Sequence, residues 1–420
     1  MLPPRPLAAR KGRGAVSNLQ GRFEVDVREP ADDGWSQGDG VDEFVDEFVD
    51  DFAGDGAGNG LGGAAGAAGS GNVQAAARGE DGAEGIDEAP PRIDTIVTEE
   101  YAKTILSRNA SPDIPFNVSL NPYRGCEHGC VYCFARPSHS YLGLSPGLDF
   151  ETRLFAKVNA AALLRRELAR PGYVAESIAL GVNTDAYQPC ERSLGLTRQV
   201  LEVLRECEHP VGLITKSSLI ERDIDILAPM ARRGLALAAI TLTTLDPAVS
   251  RTLEPRAAAP ARRLRTIRTL VEAGIPCSVS VAPVIPFVTE PDIEKILQAA
   301  AEAGATSAHY TVLRLPWEVN TLFQQWLQAH FPDRAQRVMN RVREMRGGKD
   351  YDADFATRMH GEGVWADLIR QRFTRAAEKY GLSVNGRRHA TLDCSQFKRP
   401  QVVPAPARPA GKGASQLDLF

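Results

Sequence analysis

The chain has 420 residues, 24% of them charged and 43% hydrophobic, with seven cysteines and a formal net charge of −4. The length leaves one large domain of about three hundred residues after a first ninety that do not look folded, and the lack of an apolar N-terminal leader or of any run of eighteen apolar residues predicts no membrane span. An odd cysteine count without paired spacing points to a reducing cytoplasm and away from a disulfide framework.

Charge is unevenly spread along the chain. Residues 1–23 carry five basic groups and no acidic one, residues 24–90 carry eighteen acidic groups against Arg28 and Arg78, and residues 91–420 therefore hold +7. Residues 1–92 are predicted to be a disordered arm, basic at first and then acidic, with VDEF, VDEF and VDDF in tandem from Val41 to Phe52 and a Gly/Ala-rich linker over 54–71. The tandem segment is either a solvated acidic stretch or a short docking helix that folds back on the basic body. A body of +7 fits a polyanionic partner such as nucleic acid, and it equally fits a charge that keeps the body soluble.

Order is predicted from about Ile93. FNVSL at 116–120 alternates as a first strand, and 156–169 has helical spacing closed by Pro171 and Gly172. Short apolar or β-branched runs then follow at 177–181, 211–215, 236–242, 278–285 and 309–315. They alternate with amphipathic segments near 194–207, 221–233, 261–273 and 291–303. This alternation predicts parallel strands with helices outside, and six strands make a partial (βα)6 TIM-like barrel over 93–316 with its active groups at the C-terminal strand ends. After Pro316 the pattern turns helical over 317–330, 334–346 and 363–380. A helical extension, residues 317–398, is expected to cap the open barrel, followed by a flexible tail, 399–420. Cys207, Cys277 and Cys394 fit small buried apolar positions.

The most specific stretch is 121–136, NPYRGCEHGCVYCFAR, in which Cys126, Cys130 and Cys133 are spaced C-x3-C-x2-C. Three thiolates in one loop suit three irons of a 4Fe–4S cluster and leave the fourth open to a substrate or cofactor. A structural zinc site is the alternative, but it usually takes four ligands in two separated pairs, and here only His128 is at hand. Gly125 and Gly129 beside the cysteines suit a loop that curls closely round an inorganic core.

With Tyr132 as the aromatic, this spacing resembles the C-x3-C-x-aromatic-C signature of the radical S-adenosylmethionine (SAM) enzymes. The resemblance implies a (βα)6 barrel, a 4Fe–4S cluster on Cys126, Cys130 and Cys133, and SAM chelated to the open iron with Tyr132 against its adenine. It also implies cleavage of SAM to a 5′-deoxyadenosyl radical and a flavodoxin- or ferredoxin-like electron donor. NTDAYQPCE at 183–191, TTLD at 243–246, LEPR at 253–256 and VAPVIP at 281–286 resemble the spore photoproduct lyase-like branch of that family. Where the family usually has a Gly-Gly-Glu-like motif for the SAM amino group, this chain has Asn183, Thr184 and Asp185. Thr243 and Thr244 are expected near the SAM ribose, and Lys216 and Arg256 complete a polar ring at the strand ends. The hydrogen-donating cysteine of spore photoproduct lyases has no counterpart in Gly181, Val182 or Asn183; Cys190 is the candidate substitute.

The last five residues, Gln416, Leu417, Asp418, Leu419 and Phe420, resemble the pentapeptide by which bacterial polymerases and repair proteins dock on the DNA sliding clamp. Together these readings predict a cytoplasmic radical SAM enzyme acting on lesions in nucleic acid, with DNA as partner, and recruited by its tail. Radical modification of RNA or of a peptide, and a clamp-tethered redox-sensing protein whose cluster does no turnover, stay open.

Overall fold

The structure, a computed structural model, describes residues 9–24, 93–384 and 392–401. These residues fall in one compact unit, Met1–Asp26 with Pro91–Phe420; a second unit, Val27–Pro90, lies outside the described residues, as do the VDEF repeats and the terminal QLDLF.

In chain order the strands are β1 (Ile96–Glu100), β2 (Leu106–Arg108), β3 (Val118–Leu120), β4 (Tyr123–Arg124), β5 (Arg153–Lys157) and β6 (Ile178–Leu180). They continue with β7 (Val211–Thr215), β8 (Ala236–Thr241), β9 (Cys277–Val284), β10 (Ser307–Val312) and β11 (Ser383–Val384). The main sheet has the order β11-β10-β9-β8-β7-β6-β3-β2. Its six central strands run parallel and in sequence order, as the strand–helix alternation predicts, and its two edges do not pair with each other, so the barrel is open. Helices Leu196–Glu206, Ile224–Arg232, Pro260–Glu272 and Ile293–Glu302 make the crossovers. Their apolar faces enter one core with the strands, where Leu201, Leu204, Ile226, Ile267, Leu270 and Ile296 are fully buried.

Three elements depart from the sequence expectations. Ala156 and Lys157 are not helical: they end β5, which pairs with β1 and β4 in a separate three-stranded sheet, and the helix is Ala160–Leu168. β11 adds a parallel strand beyond the expected six, on the far side of β10, after helix Gly363–Lys379. Only two residues long, it carries too little pattern to be read from sequence. Residues 9–24, expected in the disordered arm, are packed on the body, with Ala15 fully buried against Leu148 and Leu322. Backbone contacts make that packing possible: a Cβ on Gly14 would stand 1.8 Å from Gly129 O, and one on Gly147 would stand 2.3 Å from Ser17 O.

Candidate active site

Because β3 runs parallel to β6, and β6 to β7 and β8, the cysteine loop that follows β3 opens at the same end of the barrel as the loops after those three strands. Cys126 and Cys130 are buried and Cys133 is partly exposed; none is in a disulfide. Burial pushes the Cys126 thiol well up and the Cys130 thiol up to about 12, so a metal that displaces the proton is what would hold them as thiolates. Among the described residues no three His, Cys, Asp or Glu side chains close on a single metal ion. His128, the extra ligand of the zinc alternative, turns its Nδ1 to Asp185 Oδ2 at 3.2 Å.

The loop is fixed by groups that sequence reading missed. Arg136, fully buried three residues after Cys133, donates to Cys130 O (2.9 Å), Gly129 O (3.0 Å), Pro146 O (3.1 Å) and Gly147 O (2.8 Å). Its charge is met by Glu151, also fully buried, at 2.5 Å. The same carboxylate accepts from Gly14 N (3.0 Å) and Ala15 N (2.8 Å), while Arg13 donates to Glu151 O (3.2 Å) and Ile93 O (2.5 Å). Gln188 clamps the other flank, accepting from Glu127 N (2.8 Å) and donating to Gly125 O (3.2 Å). An arginine three residues past the cysteine motif was the one available signal; its buried partner, fifteen residues on, has no fixed spacing to announce it.

The residues singled out from sequence converge on this loop, chiefly through contacts to protein. Asp185 accepts from Thr215 Oγ1 (2.7 Å), Tyr187 N (2.9 Å) and Lys216 N (2.8 Å). Burial alone would raise its carboxyl, but His128 and these donors hold it well below the usual range. Its backbone N–H also reaches Cys126, so Asp185 ties the ends of β6 and β7 to the cysteines. Thr184 donates to Tyr123 O (3.1 Å), and the Asn183 N–H donates to Asn121 Oδ1 (3.0 Å) with the residue itself exposed.

After β8, Thr243 donates to Glu254 Oε1 (2.6 Å) and Thr244 to Asp292 Oδ2 (2.6 Å). Glu254, buried and paired with Arg263 at 2.5 Å, also accepts from the Tyr132 hydroxyl. Lys216 Nζ lies 5.8 Å from the Tyr132 ring centroid. Arg256 pairs with Glu127 at 3.0 Å, and its N–H donates to His128 O (3.3 Å). Cys190 packs with Tyr123, Ala156 and Leu196 against the smaller sheet.

Residues 120–300 match the Radical SAM superfamily model. The chain belongs to the radical SAM superfamily. A relative from Mycobacterium tuberculosis, itself uncharacterized, is 37% identical over 298 residues, which are 70% of this chain and 84% of that one. An uncharacterized protein of Methanocaldococcus jannaschii is 23% identical over 223 residues, 53% of this chain and 80% of the relative. Among solved structures, spore photoproduct lyase complexed with dinucleoside spore photoproduct aligns at TM-score 0.46 and 14% identity, covering 69% of this chain and 81% of that one. Membership in the radical SAM superfamily implies a 4Fe–4S cluster and SAM. The buried thiols and the glycine-permitted loop fit such a group: a Cβ on Gly125, whose φ is +75°, would meet Phe150 O at 2.9 Å.

Proposed function

We propose that this radical SAM enzyme holds its cluster on Cys126, Cys130 and Cys133 and acts on lesions in DNA, with cytoplasmic location and a small flavodoxin- or ferredoxin-like protein as electron source. When bound, cluster and SAM supply one-electron reductive cleavage to a 5′-deoxyadenosyl radical. The chain's own residues fix the geometry in which that happens. Arg136 and Glu151 hold the loop backbone; Asp185 and His128 hold the loops after β6 and β7 against it; Glu254 orients Tyr132. Asn183, Thr184, Asp185 and Arg256 remain our candidates for contact with SAM, with Thr243 and Thr244 shaping its ribose side, Lys216 a candidate catalytic group and Cys190 a candidate hydrogen donor.

The observation that carries this reading is the convergence of three cysteines with Tyr132 and the loops after β6, β7 and β8 on one mouth. Support for a nucleic-acid substrate comes from the +7 of residues 91–420. Recruitment through Gln416 to Phe420 is supported by the likeness of these five residues to a clamp-docking pentapeptide. Asp393 N–H donates to Gly234 O (2.9 Å) and Lys398 N–H to Cys207 O (2.8 Å), just before β8 and β7, so residues 392–401 lie at the base of the barrel. Anaerobic reconstitution with dithionite, SAM and ultraviolet-damaged DNA tests the proposal. Formation of 5′-deoxyadenosine with a change in the DNA supports it; 5′-deoxyadenosine formed with the DNA untouched would redirect the search to RNA or peptide.

A further inference from the structure

The mouth beside β10 contains positive charge that forms no ion pair among the described residues. Arg314, two residues beyond the end of β10, is half-buried with its guanidinium carbon 5.4 Å from the ring centroid of Phe134, the residue next to Cys133. Its Nε is buried with no hydrogen-bond acceptor, and its Nη1 reaches only Met359 Sδ, a weak acceptor, at 3.7 Å. Arg346, buried close by, donates to Thr357 O (2.9 Å) and Leu313 O (2.8 Å), both uncharged. Neither arginine has an ion-pair partner among the described residues. Of the nearby carboxylates, Asp113 is engaged bidentately by Arg358 at 2.6 and 2.7 Å, and half-buried Asp352, which accepts from Thr357 Oγ1 at 2.5 Å, acts on Arg346 without forming an ion pair with it. Burial first, and then the charge of Arg314, lower the Arg346 guanidinium to about 10, with Asp352 acting in the opposite direction.

Two under-partnered guanidinium groups, one of them half-exposed, are a costly arrangement unless an anion completes it. Guanidinium geometry suits phosphate, and the exposed face of Phe134 offers a nucleobase a stacking surface beside that phosphate. We propose that Arg314, backed by Arg346, is a phosphodiester-binding site that seats a single nucleic-acid strand next to the cysteine loop. This deepens the nucleic-acid reading above and rests on it.

The test is fluorescence anisotropy of a labelled single-stranded oligodeoxynucleotide with the reconstituted full-length protein over a salt series. Arg314→Gln should weaken binding roughly tenfold at low salt and reduce the slope of log K against log salt by about 0.7, the share of one phosphate contact, while Arg314→Lys keeps most of the slope. Equal affinity and slope for Arg314→Gln and a wild type that binds would overturn this site and leave the nucleic-acid reading standing. No binding by the wild type overturns both. Should Arg314→Gln fail to fold, phenylglyoxal labelling of the wild type, read by peptide mass spectrometry, decides: the oligonucleotide must protect Arg314, and equal labelling with and without it overturns the proposal.

Discussion

The two ends of the barrel are built from different chemistry. At the mouth, buried charge is everywhere: Arg136 with Glu151, Arg263 with Glu254, and His128 beside Asp185. At the base, the N-terminal strand ends are sealed by an uncharged aromatic group in which Phe397 packs on Tyr173 and His209 with ring centroids 5.4 and 5.3 Å apart. His209 Nδ1 is 3.0 Å from Pro210 O and its Nε2 is 2.7 Å from Tyr173 OH, so the neutral ring fills both positions, donating to one and accepting from the other. Buried ion pairs add little net stability over an apolar core, but they fix directions. The mouth therefore accepts a desolvation cost to place a loop, whereas the base is sealed by rings, with its ion pairs, Glu208 to exposed Arg233 and Lys398, kept at the rim.

The sharpest division between the ends should come from the cysteines. Changing Cys126, Cys130 or Cys133 to Ala is expected to abolish SAM cleavage and remove most of the roughly four irons per chain that a 4Fe–4S cluster brings. Iron analysis and 5′-deoxyadenosine assays check this, and stoichiometric zinc in an active wild type would contradict it. Next in size is the clamp on that loop. Arg136→Met or Glu151→Gln leaves one buried charge unpaired and should cost ~3–5 kcal/mol in denaturant unfolding, with loss of iron; a cost under 1 kcal/mol would mean that the mouth does not depend on this pair.

The base is tested by acid. Burial lowers His209 to about 4 from the ordinary 6.5, so below pH 6.5 the unfolded chain takes up the proton first. Its contribution to stability is complete above pH 6.5 and falls as the pH drops toward 4, by roughly 3 kcal/mol at most at about 1.4 kcal/mol per unit. Over that window the wild type should lose stability relative to His209→Gln in thermal melts, and parallel curves would show that the base carries no such histidine. The smallest effect belongs to the surface pair Arg341–Glu344 on helix Pro332–Glu344. Glu344→Gln should change stability by under about 1 kcal/mol, because Glu344 is exposed and its pair with Arg341 is screened by water. A larger loss would place buried-type coupling outside the mouth.

The N-terminal segment changes how the acidic stretch can be tested. A truncation at residue 90 would remove the contacts of Arg13, Gly14 and Ala15 along with the acid, so neutralising the acidic residues of 24–90 by Asn and Gln is the cleaner variant.

Local chemistry was readable wherever it repeats at a fixed spacing. The cysteine triplet with Tyr132 identified the family, and apolar runs such as 211–215 gave β7 with its bounds intact, because strand periodicity is written along the chain itself. Only the tertiary structure decided what the polar residues do. Asp185, Thr184 and Thr243, singled out by position as ligand contacts, each also hydrogen-bond to protein, since loops that converge at a crowded mouth must satisfy one another. Residues 9–24 carry no periodic signal, and they are ordered through backbone N–H groups that reach Glu151 more than 130 residues away. The pairing of Arg136 with Glu151 and the burial of Arg314 Nε without an acceptor are likewise properties of folded distance, which a linear sequence does not encode at any fixed interval.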